Sequence, residues 1–232
     1  MGSKADHELS MYNYMAEISA RSKHAGRNAV RILLDSFKIT GQYGEHHCLV
    51  HPPLWENIDT FLARNPVGRL PTPVLGIVLY RLFLALDFLH SECNFIHTGK
   101  RQHCIMRSFP GSTDKTYIDI KADNILFGAA DDTIYKDFEI EELEHPTPRK
   151  EIGGRFIYIS RQLNIPRNYE PPVLCDFGSA ISGERANAKM IVQPALYRAP
   201  EVILGIPWNN KIDIWNVGCM VRMTHFCCAE LC

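Results

Sequence analysis

Four short motifs hold the side chains able to do chemistry, and they come in one order: Asp119-Ile-Lys121-Ala-Asp-Asn124, Cys175-Asp176-Phe-Gly178, Tyr197-Arg-Ala-Pro-Glu201 and Asp213-Ile-Trp-Asn-Val-Gly218. The first sets a carboxylate, an ammonium group and a carboxamide within one turn of chain, and the second adds another carboxylate beside a glycine. Phosphoryl transfer needs such a set: a carboxylate to accept a hydroxyl proton, a cation near the moving phosphate, and oxygen ligands for a hard cation such as Mg²⁺. A lone Asp-Phe-Gly arises by chance in many chains. All four motifs in this order do not.

The set resembles the protein-kinase signature of catalytic loop, metal-binding triplet and Ala-Pro-Glu. That resemblance implies a role for each residue. Asp119 orients the substrate hydroxyl and accepts its proton, Lys121 stabilises charge on the γ-phosphate of ATP, and Asn124 and Asp176 hold Mg²⁺. A lysine at this point of the loop is the serine/threonine pattern. The likeness narrows further on Leu34-Asp-Ser-Phe-Lys-Ile-Thr-Gly, His47-Cys-Leu-Val-His-Pro-Pro-Leu, Leu82-Phe-Leu-Ala-Leu-Asp-Phe-Leu-His and Leu174-Cys-Asp-Phe-Gly-Ser-Ala. These resemble the SR-protein kinases (SRPK) of the CMGC group, in particular their fungal relatives. The 52 positions from Asn124 to Asp176 also fit that family, which carries a spacer there. By the same resemblance Glu8, in Glu-Leu-x-x-Tyr, is the helix glutamate that pairs with an ATP-contacting lysine. The family implies transfer to serine in Arg/Ser-rich proteins such as splicing factors. It also implies a monomer of cytoplasm and nucleus, with no direct nucleic-acid or membrane partner. Thr98 stands where many kinases have an arginine that reads a phosphorylated activation loop, which implies activity without that modification.

The elements that must position these residues are partly visible in the periodicity. From Glu8 to Phe37, apolar residues at three-to-four spacing predict two helical stretches broken near His24-Ala25-Gly26. Glu45 to His51 reads as a strand ended by Pro52-Pro53, and 56–64 as a polar helix. Val74, Ile77, Val78, Leu82, Leu86 and Leu89 mark a buried helix over 73–90. Residues 131–144 hold seven Asp/Glu against one Lys, an acidic helix-like stretch. With the resemblance, the expected class is α+β: an incomplete protein-kinase-like fold. It would comprise a partial N-lobe, from the helix the family letters αC to its fifth strand, and a mainly helical, truncated C-lobe. The expected division is a partial kinase domain over 1–220, with a spacer region at 125–172 and an anomalous insertion at 99–118, followed by a non-homologous tail at 221–232.

Three departures from the pattern carry weight. The Gly-rich loop and strand lysine should precede Glu8, where only seven residues stand, so ATP binding is expected to be impaired. The family's loop reads His-x-Asp without a break, whereas His97-Thr98 is separated from Asp119 by a basic stretch of neither helical nor strand period. Gly99-Lys100 is encodable as GGT-AAG and Ile118-Asp119 as ATA-GAC. Excision as an intron would therefore restore His-Thr-Asp-Ile-Lys-Ala-Asp-Asn; a natural insertion is the alternative. Lastly, the chain stops soon after Asp213-Ile-Trp-Asn-Val-Gly-Cys-Met220, and Val221-Arg222 is encodable as GTA-AGA, another donor site. Loss of the later helices would bare apolar faces and leave the chain poorly folded. A catalytically dead fragment that only binds basic Arg/Ser peptides through its acidic stretch is the rival expectation.

Composition agrees with a globular chain: 232 residues, 46% hydrophobic, 22% charged and a formal net charge of −1. The charge balance argues against a dedicated polyanion binder. No signal-peptide core is visible at the start, no uninterrupted apolar run reaches membrane-span length, and an intracellular chain is expected. The eight cysteines include no Cys-x2-Cys pair, and reduced thiols are expected. Cys104, Cys227, Cys228 and Cys232, half of them, fall in the two anomalous segments.

Overall fold

The most apolar stretch of the sequence becomes the central helix. In the computed structural model, which describes residues 4–41, 44–98, 122–186, 190–194 and 197–225, it forms α3 (Thr72–Asp87), extended by a π turn over Phe88–Glu92. Pro73 starts it, where a missing N–H costs nothing. Its face of Leu75, Val78, Leu82, Ala85 and Leu86, continued by Phe88 and Leu89, is buried. By length and composition the run Thr72–Glu92 is long and apolar enough to cross a membrane; in the fold its buried face belongs to the core.

Around α3 lie short elements in α+β order. Helix α1 (Lys4–Arg21) buries Tyr12, Met15 and Ile18. A 3-10 turn (Ala25–Ala29) then crosses α3 so closely that a Cβ on Gly26 would lie 1.9 Å from the Leu84 carbonyl oxygen. The second helix expected before Phe37 is absent. After the 3-10 turn that segment has a bridge at Val30, then irregular chain over 31–34, and ends in strand β1 (Asp35–Gly41), paired antiparallel with β2 (Gly44–Val50) from Asp35↔Val50 to Gly41↔Gly44. Phe37 and Ile39, spaced by two, are strand-spaced, and both are exposed. Helix α2 (Ile58–Arg64) is capped by Asn57, whose side chain accepts from the Thr60 N–H at 2.7 Å.

Strand β3 (Phe95–Ile96) pairs with β8 (Ile181–Ser182), and β4 (Ile125–Ala129) with β7 (Tyr169–Leu174). Between β4 and β7 stand α4 (Thr133–Glu144), the expected acidic helix, and a hairpin of β5 (Arg149–Ile152) and β6 (Arg155–Tyr158). The chain then runs through α5 (Pro200–Ile203) into α6 (Lys211–His225). Helix α6 continues beyond Met220: Val221 packs against the core and Thr224 is buried, its carbonyl accepting from the Leu70 N–H at 3.2 Å. Tyr80, Phe83 and Leu84 of α3 and Ile214 of α6 line an open groove of about 420 Å³.

Candidate active site

The ladder of β4 and β7 sets two of the candidate residues side by side. Ile125 pairs with Leu174, and one step further the Cys175 N–H donates to the Asn124 carbonyl at 2.8 Å. Asn124, buried at the end of a 3-10 turn, and Asp176 therefore leave the same end of the ladder. Asp176 has a left-handed backbone, φ 61°, a conformation costing about 1 kcal/mol or more outside glycine. Its Oδ1 accepts from the Gly178 N–H at 3.4 Å. Asp119 and Lys121 lie outside the described residues.

The Asp-Phe-Gly segment is held from both sides. From α1, His7 Nε2 donates to the Ala180 carbonyl at 2.8 Å. From the β3 end, His97 Nε2 donates to the Cys175 carbonyl at 3.1 Å and Thr98 Oγ1 to that of Ser179 at 2.9 Å. A column of rings runs through the middle. His97 meets Phe177 at 5.4 Å, Phe177 meets Tyr12 edge-on at 5.5 Å, and Tyr12 meets His51 at 4.9 Å. Such tilted and T-shaped pairs add about 0.5 to 1.5 kcal/mol each beyond burial. Glu8, partly buried, is one helical turn before Tyr12 on α1. The Tyr12 phenol is pushed well above its usual range, first by burial and then by Cys175, Glu8 and Asp176, with Arg31 opposing. Glu8 and Asp176 thus act electrostatically on one buried hydroxyl.

Beneath the column, Asp213 of α6 anchors the approach to the loop. It is fully buried, and its Oδ2 accepts from the His97 N–H at 2.9 Å and from His90 Nε2 at 2.8 Å. Asp213 Oδ1, His97 Nδ1 and both polar atoms of the Asn216 carboxamide are buried with no hydrogen-bond partner among the described residues. The Tyr-Arg-Ala-Pro-Glu motif is fastened to the same helix by Gln193, fully buried and left-handed at φ 63°. Gln193 donates to the Ile212 carbonyl at 2.8 Å, accepts from the Ala199 N–H at 2.9 Å, and its own carbonyl accepts from Arg198 at 2.7 Å.

Sequence reasoning placed no role on Tyr12, Phe177 or Gln193. Tyr12 stands four residues after Glu8, so helical geometry alone could have set both on one face; nothing in the composition near Gln193 marks it. Among the described residues no three His, Cys, Asp or Glu side chains cluster to hold a metal ion. A carboxamide and a carboxylate at one ladder end still suit Mg²⁺, which takes few protein oxygens and completes its shell with phosphate and water. The donor set therefore fits the ion, and when bound it would bridge and neutralise phosphate oxygens.

No family model matches the chain. Curated relatives do. The chain is 33% identical over 222 residues to a serine/threonine protein kinase of Aspergillus fumigatus, covering 94% of this chain and 47% of the relative. It is 29% identical to the serine/threonine-protein kinase SRPK of Physarum polycephalum (94% and 49%) and 22% identical to protein kinase dsk1 of Schizosaccharomyces pombe (86% and 49%). The chain spans about half the length of these relatives.

An α+β chain that brings Asn124 beside Asp176 and has such relatives falls among the homologues of the serine/threonine protein kinases. Among the relatives it resembles are those named serine/threonine-protein kinase SRPK and protein kinase dsk1. Kinases of this class in general use ATP and Mg²⁺.

Proposed function

We propose that residues 1–220 form a kinase-type catalytic unit of the SRPK kind, in which 99–118 interrupts the catalytic loop, 125–172 is the spacer region and 221–232 is a tail. In this reading the fold is an incomplete kinase-like one, a partial N-lobe on a mainly helical C-lobe. The unit directs the γ-phosphate of ATP to serine in Arg/Ser-rich proteins, in cytoplasm and nucleus. Asp119 accepts the hydroxyl proton, Lys121 steadies the charge on the phosphate, and Asn124 and Asp176 hold Mg²⁺. Glu8 pairs with a lysine that contacts the nucleotide. The observation that carries this reading is the shared end of the β4–β7 ladder, which delivers Asn124 and Asp176 together while α1 and His97 clamp the segment between Cys175 and Ala180.

Turnover is expected to be impaired. The buried atoms of Asp213, His97 and Asn216 that have no hydrogen-bond partner among the described residues favour an incompletely satisfied loop anchor, and displacements of about 1 Å in such a site cost roughly a hundredfold in rate. The same observation favours a binding-only role as the second reading. Phosphate transfer from γ-labelled ATP to an Arg/Ser peptide separates the two. Signal that falls by at least about a hundredfold in Asp119→Ala and in Asp176→Asn supports catalysis. Equal signal from wild type and both variants, with salt-sensitive peptide binding retained, refutes it in favour of binding alone.

A further inference from the structure

Outside the candidate site, the segment between β4 and β7 carries a device of its own. Helix α4 ends at Glu144, and the chain continues His145-Pro146-Thr147-Pro148-Arg149-Lys150 into β5. Thr147 is partly buried, while the four residues around it are exposed. One carboxylate, that of Glu142 in the last turn of α4, grips both flanks of the hairpin. Its Oε1 accepts from the Thr147 N–H at 2.7 Å, and its Oε2 accepts from the Thr147 hydroxyl. The same Oε2 accepts from Arg161 Nε, beyond β6, at 2.8 Å. Arg161 also reaches Glu141 at 3.2 Å and donates to the His145 carbonyl. The hairpin depends on this grip. All eight of its residues are exposed, Ile152, Phe156, Ile157 and Tyr158 by at least half. A two-stranded ribbon with no covered face is marginal by itself.

We propose that Thr147 is a phosphorylation site for a proline-directed serine/threonine kinase, and that the phosphate releases hairpin β5–β6 from α4. A threonine followed by proline, with cations two and three positions on, is the substrate pattern of that kinase class. In the modification a bond forms between the γ-phosphorus of ATP and Thr147 Oγ1. The bond from that phosphorus to the β–γ bridging oxygen breaks, ADP leaves, and the hydroxyl proton passes to the modifying enzyme's base.

The product replaces a hydrogen-bond donor with a group of about −1.5 to −2 charge. That group faces Glu142 in the last turn of α4, at the negative end of the helix dipole, where added anions disrupt. Arg161 is the cation already at this spot, and a phosphate competes for it against Glu142. Both flank contacts of the hairpin therefore change at once. The proposal is independent of whether this chain transfers phosphate itself.

The test treats the full chain with a purified cyclin-dependent kinase and Mg·ATP, maps the phosphate by peptide mass spectrometry, and follows amide exchange of 141–158. Phosphate on Thr147, lost in Thr147→Val and in Pro148→Ala, is expected. Exchange across 149–158 should rise by about tenfold on modification, and less in Thr147→Val, which loses one hydrogen bond without gaining charge. No phosphate at Thr147, equal labelling of Pro148→Ala, or a modified chain whose hairpin exchange is unchanged overturns the proposal. A hairpin that exchanges freely before modification overturns the grip on which it rests.

Discussion

Removing the Asp213 carboxylate is the sharpest perturbation of the fold. In Asp213→Ala the His97 N–H, buried in a residue only 1% exposed, loses its acceptor at 2.9 Å, and His90 Nε2 loses its partner at 2.8 Å. Hydrogen bonds to a charged group contribute about 1.5 to 3 kcal/mol each. Breaking a buried pair from one side costs about 3 to 5 kcal/mol, because the remaining group stays buried. The loss is thus placed at about 3 to 5 kcal/mol, a large share of the roughly 5 to 15 that a domain possesses. Asp213→Asn sets its amide oxygen where Oδ2 stands and still accepts from both the His97 N–H and His90 Nε2, losing only the charge; its cost is set at about 1 to 2 kcal/mol. Urea titrations followed by the fluorescence of Trp55, Trp208 and Trp215 give both values, and His90→Ala in each background isolates the imidazole's share. The reasoning fails if Asp213→Ala and Asp213→Asn differ by less than about 0.5 kcal/mol, or if the alanine variant loses less than about 1.

Three other measurements bear on the same core. Gly26→Ala drives a methyl group against the Leu84 carbonyl at 1.9 Å and the Phe88 Cβ at 2.8 Å, neither free to move, so a loss of about 3 kcal/mol or more in the same titration is expected; a neutral variant would refute the close crossing. Burial pushes the Cys175 thiol up to about 12, leaving so little thiolate at pH 8 that native iodoacetamide labelling should trail the partly exposed Cys48 by on the order of a thousandfold; equal rates would contradict its burial. Burial holds His51 below its ordinary 6.5, with its Nδ1 donating to the Ile32 carbonyl. The unfolded chain therefore takes up the proton first, so stability is present above about pH 6.5 and lost as pH falls toward the depressed folded value. His51→Asn should flatten that part of the Tm against pH curve, and an unchanged slope would assign the acid loss elsewhere.

Helix α3, α2 and α4 were legible because their apolar or charged spacing is local. The segment before Phe37 was misread as helix, since Val30, Leu33, Leu34 and Phe37 satisfy a three-to-four count by coincidence, while Val30 bridges distant Leu174 and Phe37 lies in β1, whose partner β2 begins only at Gly44. The motif residues Asn124 and Asp176 were legible as types, but not their meeting, which depends on a ladder between strands 49 positions apart at Ile125 and Leu174. Gln193 escaped altogether. Its work is done through a left-handed backbone and partners six and nineteen positions on, and neither leaves a periodic trace.

The bond from His7 to the Ala180 carbonyl joins residues 173 positions apart, with consequences for the order in which the protein is made. Helix α1 leaves the ribosome well before Phe177, which meets Tyr12, and Ala180, which holds His7. At ordinary elongation rates α1 waits on the order of 10 to 30 s for Phe177 and Ala180 to be made. Closing so long a loop late adds to the entropic barrier and slows folding. The contacts of α1 with the Asp-Phe-Gly segment are therefore among those that form late.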